Sequence, residues 1–477
     1  MGIPGYYTQL KSLYVRKQLK EFADGTVFID GHSMSHMVTE RCMPGARYDL
    51  RAVRFHMEIV LRKWLQAGWK IEMILFDGLT PLTKFQETER RRDIRVKESI
   101  KAQSLSSQAT CADVCSDTIL SQFPDIACRI APGECDDILA SLVYNYAVKN
   151  PGKPTYVMTN DTDFCAFDFP DNVVLLNTSV FGIDAGVINT LNPARVLRER
   201  FDLSPSLAGF GAMEFSKLNK SGALKDKPEY KQFAKSQMAI LQKFSFGSAQ
   251  EYIEDEYAMR VYRLLDTNEN NAHRVVNGWL DYKQLYTFLP ILCEPEDAEY
   301  TFDAGRRWRS VAYEMILEKI GASGEQFQEH GRSGAQTSCT NLPITDSSRA
   351  AFDAESSYKL GTRQQVLDEI AKWDVKAMIN AIWEEALRTT PQSLGEYNEE
   401  VMHTLSLDFL AQILRLEGGP RRNCTLRPEH LRFYNKFLAI FQSLRLFKAV
   451  GVRFPAQIQS YDLDGSLWWT LVRWAER

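Results

Sequence analysis

Residues Thr155–Phe167 read TYVMTNDTDFCAF. The apolar run Tyr156–Met158 has the pattern of a short buried strand, and it stops at Thr159-Asn160. Asp161 and Asp163 follow, with one residue between them. Side chains at i and i+2 of extended backbone project the same way, so two carboxylates face together beyond the carboxyl end of a strand. That edge is where open α/β sheets bind ligands. Converging carboxylates raise each other's pKa unless a cation sits between them, and hard ions such as Mg²⁺ or Mn²⁺ take oxygen ligands. An Asn/Asp turn closing a strand gives the same local pattern for structural reasons alone. What separates the two readings is how many other strands end in acids.

Working outward, other strands do. Thr26–Ile29 (TVFI) ends at Asp30-Gly31, and Ile71–Phe76 ends at Asp77-Gly78. Between them Val53, Met57, Val60, Leu61, Trp64 and Leu65 recur mostly at three- and four-residue steps, one apolar helix face, which Gly68 closes. Strand, helix, strand predicts a parallel sheet with crossover helices. A charged helical stretch is expected before the first strand. The short segment Cys128–Ile130 leads into Ala131-Pro132-Gly133-Glu134-Cys135-Asp136-Asp137, a turn opening a helix over Ile138–Val148. Acids in a first turn complement the helix dipole, which explains one or two of them. Three acids in four positions exceed that need. Asn172–Asn177 reads as a further strand.

The whole chain has 477 residues, 44% of them hydrophobic and 25% charged, the composition of a globular protein of two or three domains. A net charge of −4 means that nucleic-acid binding has to come from local basic patches. Nine cysteines show no framework spacing; Cys111 and Cys115 are a close pair without a zinc-completing set, and the thiols are expected to be reduced. No apolar run approaches the roughly 20 residues of a membrane span, and no secretory signal is read, so a nuclear or cytoplasmic, not secreted, protein is expected.

Lys84, Arg90, Arg91, Arg92, Arg95, Lys97 and Lys101 form a basic run, which as a pattern is most often a solvated helix face. Asn192–Leu207 is partly helical in pattern and leads to Glu214; Lys217, Lys220, Lys225, Lys227, Lys231 and Lys235 follow. Ser248–Leu265 and Asp281–Leu289 read as helical pieces. Gly321–Arg349, rich in Gly, Ser, Thr and Gln, reads as a mobile linker or insertion. Beyond it Val366–Leu387, Thr404–Leu416 and His430–Val450 are helical in pattern, with aromatic stripes of core type. This C-terminal region is expected to offer a surface to a protein partner.

Seven or eight carboxylates on one sheet edge, Asp30, Asp77, Glu134, Asp136, Asp137, Asp161, Asp163 and Glu214, require compensating cations. Two divalent ions about 4 Å apart stabilise both the attacking and the leaving oxygen of a phosphoryl displacement, and the basic run suits a polyanionic substrate. The residues point to metal-dependent phosphodiester cleavage.

MGI at the start, IDG at Asp30, FDG at Asp77, APGECDD at Glu134 and TNDTDF at Asp161 occur in this order. Together they resemble the motifs of the flap-endonuclease superfamily, whose core is a PIN-like α/β fold. GHSMSH, FDGLTP and TDFCAFDF are most similar to its asteroid-domain branch. The resemblance spans roughly Met1–Glu214. It implies a mostly parallel twisted sheet flanked by helices, a nuclease core over 1–200, and a helical, degenerate counterpart of the duplex-binding part over 201–320. A linker over 321–350 and a helical domain over 351–477 follow.

By the same resemblance Asp30, Asp77, Glu134 and Asp136 hold one Mg²⁺ or Mn²⁺ ion or order its waters, and Asp161 and Asp163 hold a second. Lys84 and Arg91 engage the scissile phosphate; seven residues apart, they share a helix face. His36 stands where relatives stack an aromatic on a base, or is merely structural, and Gly2 lies near the substrate. Arg90, Arg92, Arg95, Lys217 and Lys220 complete the expected nucleic-acid contacts. Glu214 replaces an aspartate of the late metal motif, the duplex-gripping glycine hairpin is absent after it, and the stretch from Arg91 to Glu134 is short for a threading arch.

The expected function is a structure-specific nuclease acting on DNA with single-stranded portions, in repair. The alternatives are a non-catalytic PIN-like scaffold in RNA binding or post-transcriptional regulation, and an RNase of PIN type. Retention of Asp30, Asp77, Glu134, Asp136, Asp161 and Asp163 argues against the scaffold; the MGI start and the Lys84/Arg91 pair argue against the RNase.

Overall fold

The computed structural model describes residues 13–42, 50–78, 80, 85–102, 108–131, 135–161, 164, 169–182, 186–193, 285–290, 300–389 and 428–452. They fall into two compact units: Met1–Val38, Phe55–Asp77 and Thr118–Asn268 form the first, and Thr39–Arg54, Gly78–Asp117 and Glu269–Arg477 the second. Among the described residues no helix is long and apolar enough to cross a membrane.

The first unit holds seven strands: β1 (Val15–Gln18), β2 (Thr26–Asp30), β3 (Lys70–Phe76), β4 (Cys128–Ile130), β5 (Thr155–Met158), β6 (Val173–Gly182) and β7 (Val187–Leu191). Their order in the sheet is β1-β7-β6-β5-β2-β3-β4. The pairs β2–β3, β2–β5, β3–β4 and β5–β6 are parallel, and β6–β7 and β1–β7 are antiparallel. The sheet is therefore mostly parallel, as the alternation of strands and helices predicted. Every residue of β2 and of β5 is buried. Strands covered on both faces read as continuous apolar runs, which is why TVFI and TYVM were legible.

From β2 the chain builds β3 and then β4 on one side, and later places β5 and β6 on the other. In open α/β sheets ligands bind outside the carboxyl ends of the strands at such a reversal, which here falls at β2 and β5. The helices α1 (Gly31–Cys42) and α2 (Leu50–Gln66) lie in sequence between β2 and β3. Gly68, at φ +89°, ends α2: its N–H donates to Leu65 O at 3.0 Å and that of Trp69 to Trp64 O at 3.1 Å. This left-handed residue with its two reversed bonds is the usual glycine helix stop. Trp69 stacks on Trp64 at 5.0 Å and donates its indole N–H to Leu19 O.

The charged stretch before β2 is not an α-helix. Val15–Gln18 is an edge strand paired with β7, and Leu19–Phe22 winds into a 3₁₀ turn. Pairing to a partner 170 or so positions away overrides a weak helical propensity.

In the second unit α3 (Phe85–Ala102), α4 (Gln108–Gln122), of which residues up to Asp117 belong here, α6 (Arg306–Ile320), α7 (Asp346–Glu355), α8 (Arg363–Ala371), α9 (Val375–Arg388) and α10 (Pro428–Ala449) accompany a sheet of β8 (Tyr286–Phe288), β9 (Phe327–Ser333) and β10 (Gln336–Leu342); α5 (Asp136–Lys149) belongs to the first unit. Its core includes Trp308, Val311, Ile316, Phe327, Ile382 and Phe447. Three expectations are corrected here. Residues 321–350, read as a mobile linker, carry the antiparallel β9–β10 hairpin and the start of α7. Their polar composition is consumed in pairing: Glu329 is fully buried with Arg309, and the buried Arg349 bonds Glu314 and Ile344 O. Tyr286–Phe288, read as part of a helix, is a strand parallel to β9. Val366–Leu387 is two helices, α8 and α9, because Asp374 turns its side chain back to the N–H of Ala377 and starts a new helix.

Candidate active site

Asp30, the last residue of β2, is 5% exposed and accepts four hydrogen bonds. Its Oδ1 takes the N–H groups of His32 and Ser33, each at 3.0 Å. Its Oδ2 takes the hydroxyls of Ser33 at 2.5 Å and Thr159 at 2.8 Å. The first pair is an N-cap on α1; the second ties β2 to the end of β5. Burial, and then the charge of Asp77, push the Asp30 carboxyl above the ordinary carboxylate range, against the pull of the Ser33 hydrogen bonds.

Asp77, just beyond β3, accepts the N–H of Cys135 on Oδ1 at 2.8 Å, which fastens the start of α5 to the strand end. Its own N–H donates to His32 Nδ1 at 3.1 Å. A neutral imidazole accepting on Nδ1 carries its proton on Nε2, and the 3.4 Å separation of Nδ1 from Asp77 Oδ2 is then a contact rather than an ion pair. The His32 ring is set edge-on against Phe76, centroids 5.7 Å apart.

The glycine between Asp30 and His32 is dictated by that ring: a Cβ on Gly31 would meet Phe76 atoms at 2.6 Å. Gly31→Ala is expected to destabilise the first unit by about 1–3 kcal/mol through overpacking, seen as a lower thermal unfolding temperature, and Phe76→Leu in the same chain should recover part of the loss. An unchanged transition in Gly31→Ala would contradict the close approach.

Cys135 is buried, and its thiol is pushed well above its ordinary pKa, first by burial and then by the charges of Asp77, Asp30 and Asp136. The same thiol lies 3.9 Å from Asp136 Oδ1. One uncharged side chain thus feels three acids, which arrive from β2, from the end of β3 and from the first residue of α5. Beyond β5, Asn160 N–H donates to Ser33 Oγ and Asp161 N–H to Thr159 Oγ1, both at 3.0 Å. Asp161 is half-buried at the same edge.

Of the expected ligands, Asp30, Asp77 and Asp136 lie near enough to act on the Cys135 thiol, and Asp161 follows the end of β5. Among the described residues no three His, Cys, Asp or Glu side chains converge closely enough to hold an ion. Glu134, Asp163 and Glu214 lie outside the described residues, as do Lys84, Lys217, Lys220 and Gly2, and the side chain of Asp137 is likewise not described. The donors present are carboxylate oxygens whose mutual repulsion a hard divalent ion would relieve. Protein donors reach both oxygens of Asp30, which ties the end of β2 to the start of α1 and to the end of β5.

Of the expected nucleic-acid contacts, His36 is half-exposed on α1. On α3, in the second unit, Arg90 and Arg91 are exposed and Arg95 is half-exposed. Arg92 is corrected: it is 6% exposed, donates to Leu289 O at 2.7 Å and His330 O at 3.0 Å, and lies over the Phe288 ring. Burial draws its pKa down to about 10. On a helix, positions 85, 89, 92 and 96 share a face, so the inward residue of the Arg90–Arg92 run was fixed by the period but not by the charge count. His32, Ser33 and Thr159 were not foreseen as site residues. Thr159 lies in the quoted stretch and the other two beside Asp30, but only tertiary hydrogen bonding gives them a role.

No family model matches the chain, and no curated protein matches it. Solved structures to which it is similar include the catalytic core of Rad2 in complex with DNA substrate, at 13% identity and TM-score 0.32, covering 61% of this chain and 90% of that one. Human GEN1 in complex with Holliday junction DNA is similar at 14% identity and TM-score 0.29, covering 69% and 82% respectively. The T5 D15 protein co-crystallised with metal ions is similar at 12% identity and TM-score 0.32, covering 51% and 96%. At these values the reading of function rests on this chain's own residues.

Proposed function

We propose that this chain is a Mg²⁺- or Mn²⁺-dependent, structure-specific nuclease that hydrolyses phosphodiesters in DNA with single-stranded portions, such as flaps, overhangs or single strands, and that it serves DNA repair. One observation supports the reading: Asp30 ends β2, Asp77 follows β3, Asp136 opens α5 and Asp161 follows β5, so that four acids stand at or beyond the carboxyl ends of strands of a mostly parallel sheet or at the helix start beside them. The ordered asteroid-like motifs support it independently.

In this reading Asp77, Asp136 and Asp161, with Glu134, Asp163 and Glu214, supply oxygens to two divalent ions. Such a pair of ions, when bound, acidifies the attacking water and offsets charge on the leaving oxygen. Asp30 fixes the chain around them, Asp77 anchors α5 through Cys135, and the Nε2–H of His32 offers a neutral donor beside the acids. Lys84 and Arg91 engage the scissile phosphate, and Gly2, His36, Arg90, Arg95, Lys217 and Lys220 contact the rest of the nucleic acid. The saturation of Asp30 by four protein donors favours a second reading, a PIN-like scaffold that binds RNA without cutting it.

The purified chain, incubated with labelled flap, overhang, single-stranded DNA and RNA substrates, separates the two. Cleavage of at least one DNA substrate with Mg²⁺ or Mn²⁺, abolished by EDTA, is the expected result. RNA binding with no product in any metal would establish the scaffold instead, and product that persists in EDTA would remove the metal from the mechanism.

A further inference from the structure

Two hydroxyls stand between Asp30 and the turn that carries Asp161. Ser33 Oγ receives the Asn160 N–H at 3.0 Å, and Thr159 Oγ1 receives the Asp161 N–H at 3.0 Å. A hydroxyl has one proton and two lone pairs. A backbone amide can only donate, so each hydroxyl keeps its own proton for another acceptor. Both find the same one, Asp30 Oδ2, at 2.5 Å from Ser33 and 2.8 Å from Thr159. The hydroxyl oxygens are themselves 3.3 Å apart. Ser33 and Thr159 are 7% and 3% exposed, so water does not readily replace either bond. The Oδ1 of Asp30 is held in turn by the first amides of α1.

We propose that Ser33 and Thr159 are positioning residues, a hydrogen-bonded bridge that hangs two consecutive amides of the Asp161 turn on the Asp30 carboxylate. The bridge works in one direction: amide to hydroxyl to carboxylate, on two parallel tracks ending on one oxygen. Asp30 serves as the fixed point, because it is gripped from α1 on its other oxygen. The turn cannot shift without breaking bonds that are shielded from water, and charge-assisted bonds to a buried carboxylate are the stronger kind. The bridge reaches Asp161 through its backbone amide. The bridge itself stands on the geometry; its consequence for metal binding rests on the reading given under Proposed function.

The two tracks make separable predictions for hydrogen exchange resolved to single amides. Thr159→Val keeps the shape of the side chain and removes the hydroxyl. It should speed exchange of the Asp161 amide by about tenfold, the loss of one net hydrogen bond, and Thr159→Ser should restore protection. Ser33→Ala should speed the Asn160 amide instead. Mn²⁺ binding followed by electron paramagnetic resonance should weaken by about 10–100-fold in Thr159→Val, the usual effect of removing an outer support of a metal ligand, and recover in Thr159→Ser.

Unchanged exchange of the Asp161 amide in Thr159→Val would overturn the bridge, and so would a Ser variant as unprotected as the Val variant. Should Thr159→Val fail to fold, the Asn160 amide in Ser33→Ala decides. A wild-type chain that binds no Mn²⁺, with variants that lose protection as described, would remove the metal-centre reading and leave the bridge standing.

Discussion

Asp161→Ala is expected to lower metal-dependent cleavage by at least about a hundredfold, at or beyond the upper end of the 10–100-fold losses seen when only an outer support of a metal ligand is removed. The substitution is selective. Asp161 is held through its backbone N–H, which donates to Thr159, and alanine keeps that bond. The side chain is half-buried, and the bonds of the bridge run through the amides of Asn160 and Asp161. What disappears is one carboxylate just beyond the end of β5. Single-turnover rates at saturating Mg²⁺ and Mn²⁺, with thermal unfolding as a control for folding, make the comparison. A rate within a few-fold of wild type would show that Asp161 is no ligand, and the nuclease reading would lose its central residue. Partial recovery at high Mn²⁺ concentration would argue that the lost function is ion binding.

The largest expected effect on stability lies in the second unit. Arg309 and Glu329, 1% and 0% exposed, pair through Nε–Oε1 at 2.5 Å and Nη2–Oε2 at 3.0 Å. Glu329 also accepts from Tyr313 at 2.9 Å and Tyr300 at 3.4 Å, while Arg309 donates to Ala304 O and Ser443 Oγ. The buried Glu329 charge in turn pushes Tyr313 and Tyr300 upward, after burial itself. Glu329→Ala leaves a guanidinium in a dry core with only carbonyl and hydroxyl partners. Stranding one member of a buried ion pair costs about 3–5 kcal/mol, so the denaturant midpoint of this unit should fall sharply. Tryptophan fluorescence reports it, since Trp308 and Trp373 meet edge to face at 5.7 Å in the same core. The double variant Arg309→Met, Glu329→Leu should lose far less, because no charge is left unpaired. A loss under about 1 kcal/mol in Glu329→Ala would mean that water reaches Arg309.

The same pair explains why residues 321–350 read as a linker. Composition counts Glu329, His330, Arg332 and Arg349 as surface-seeking, yet all four are buried. Polar residues join a core when each finds its partner, and those partners are remote: Arg309 lies 20 positions before Glu329, and Glu314 lies 35 before Arg349. The β8 strand was hidden for a related reason, since three residues carry no detectable period and its identity comes from β9 alone. Arg92 shows the converse: a cation in a basic run whose neighbours turned it inward onto two carbonyls.

The sequence by itself determined the central strands β2, β3 and β5, the helix stop at Gly68, and the acids that end the strands. These are local facts: a strand buried on both faces is a continuous apolar run, and Asp-Gly or Asn-Asp punctuation follows it directly. Only the tertiary structure decided that Asp30 is spent on four protein donors, one of them 129 positions away, that His32 leans on Asp77, and that two hydroxyls brace Asp161. Hydrogen bonds between distant segments, and the loss of water that makes them matter, depend on which strands become neighbours, and no local pattern in the chain records that choice.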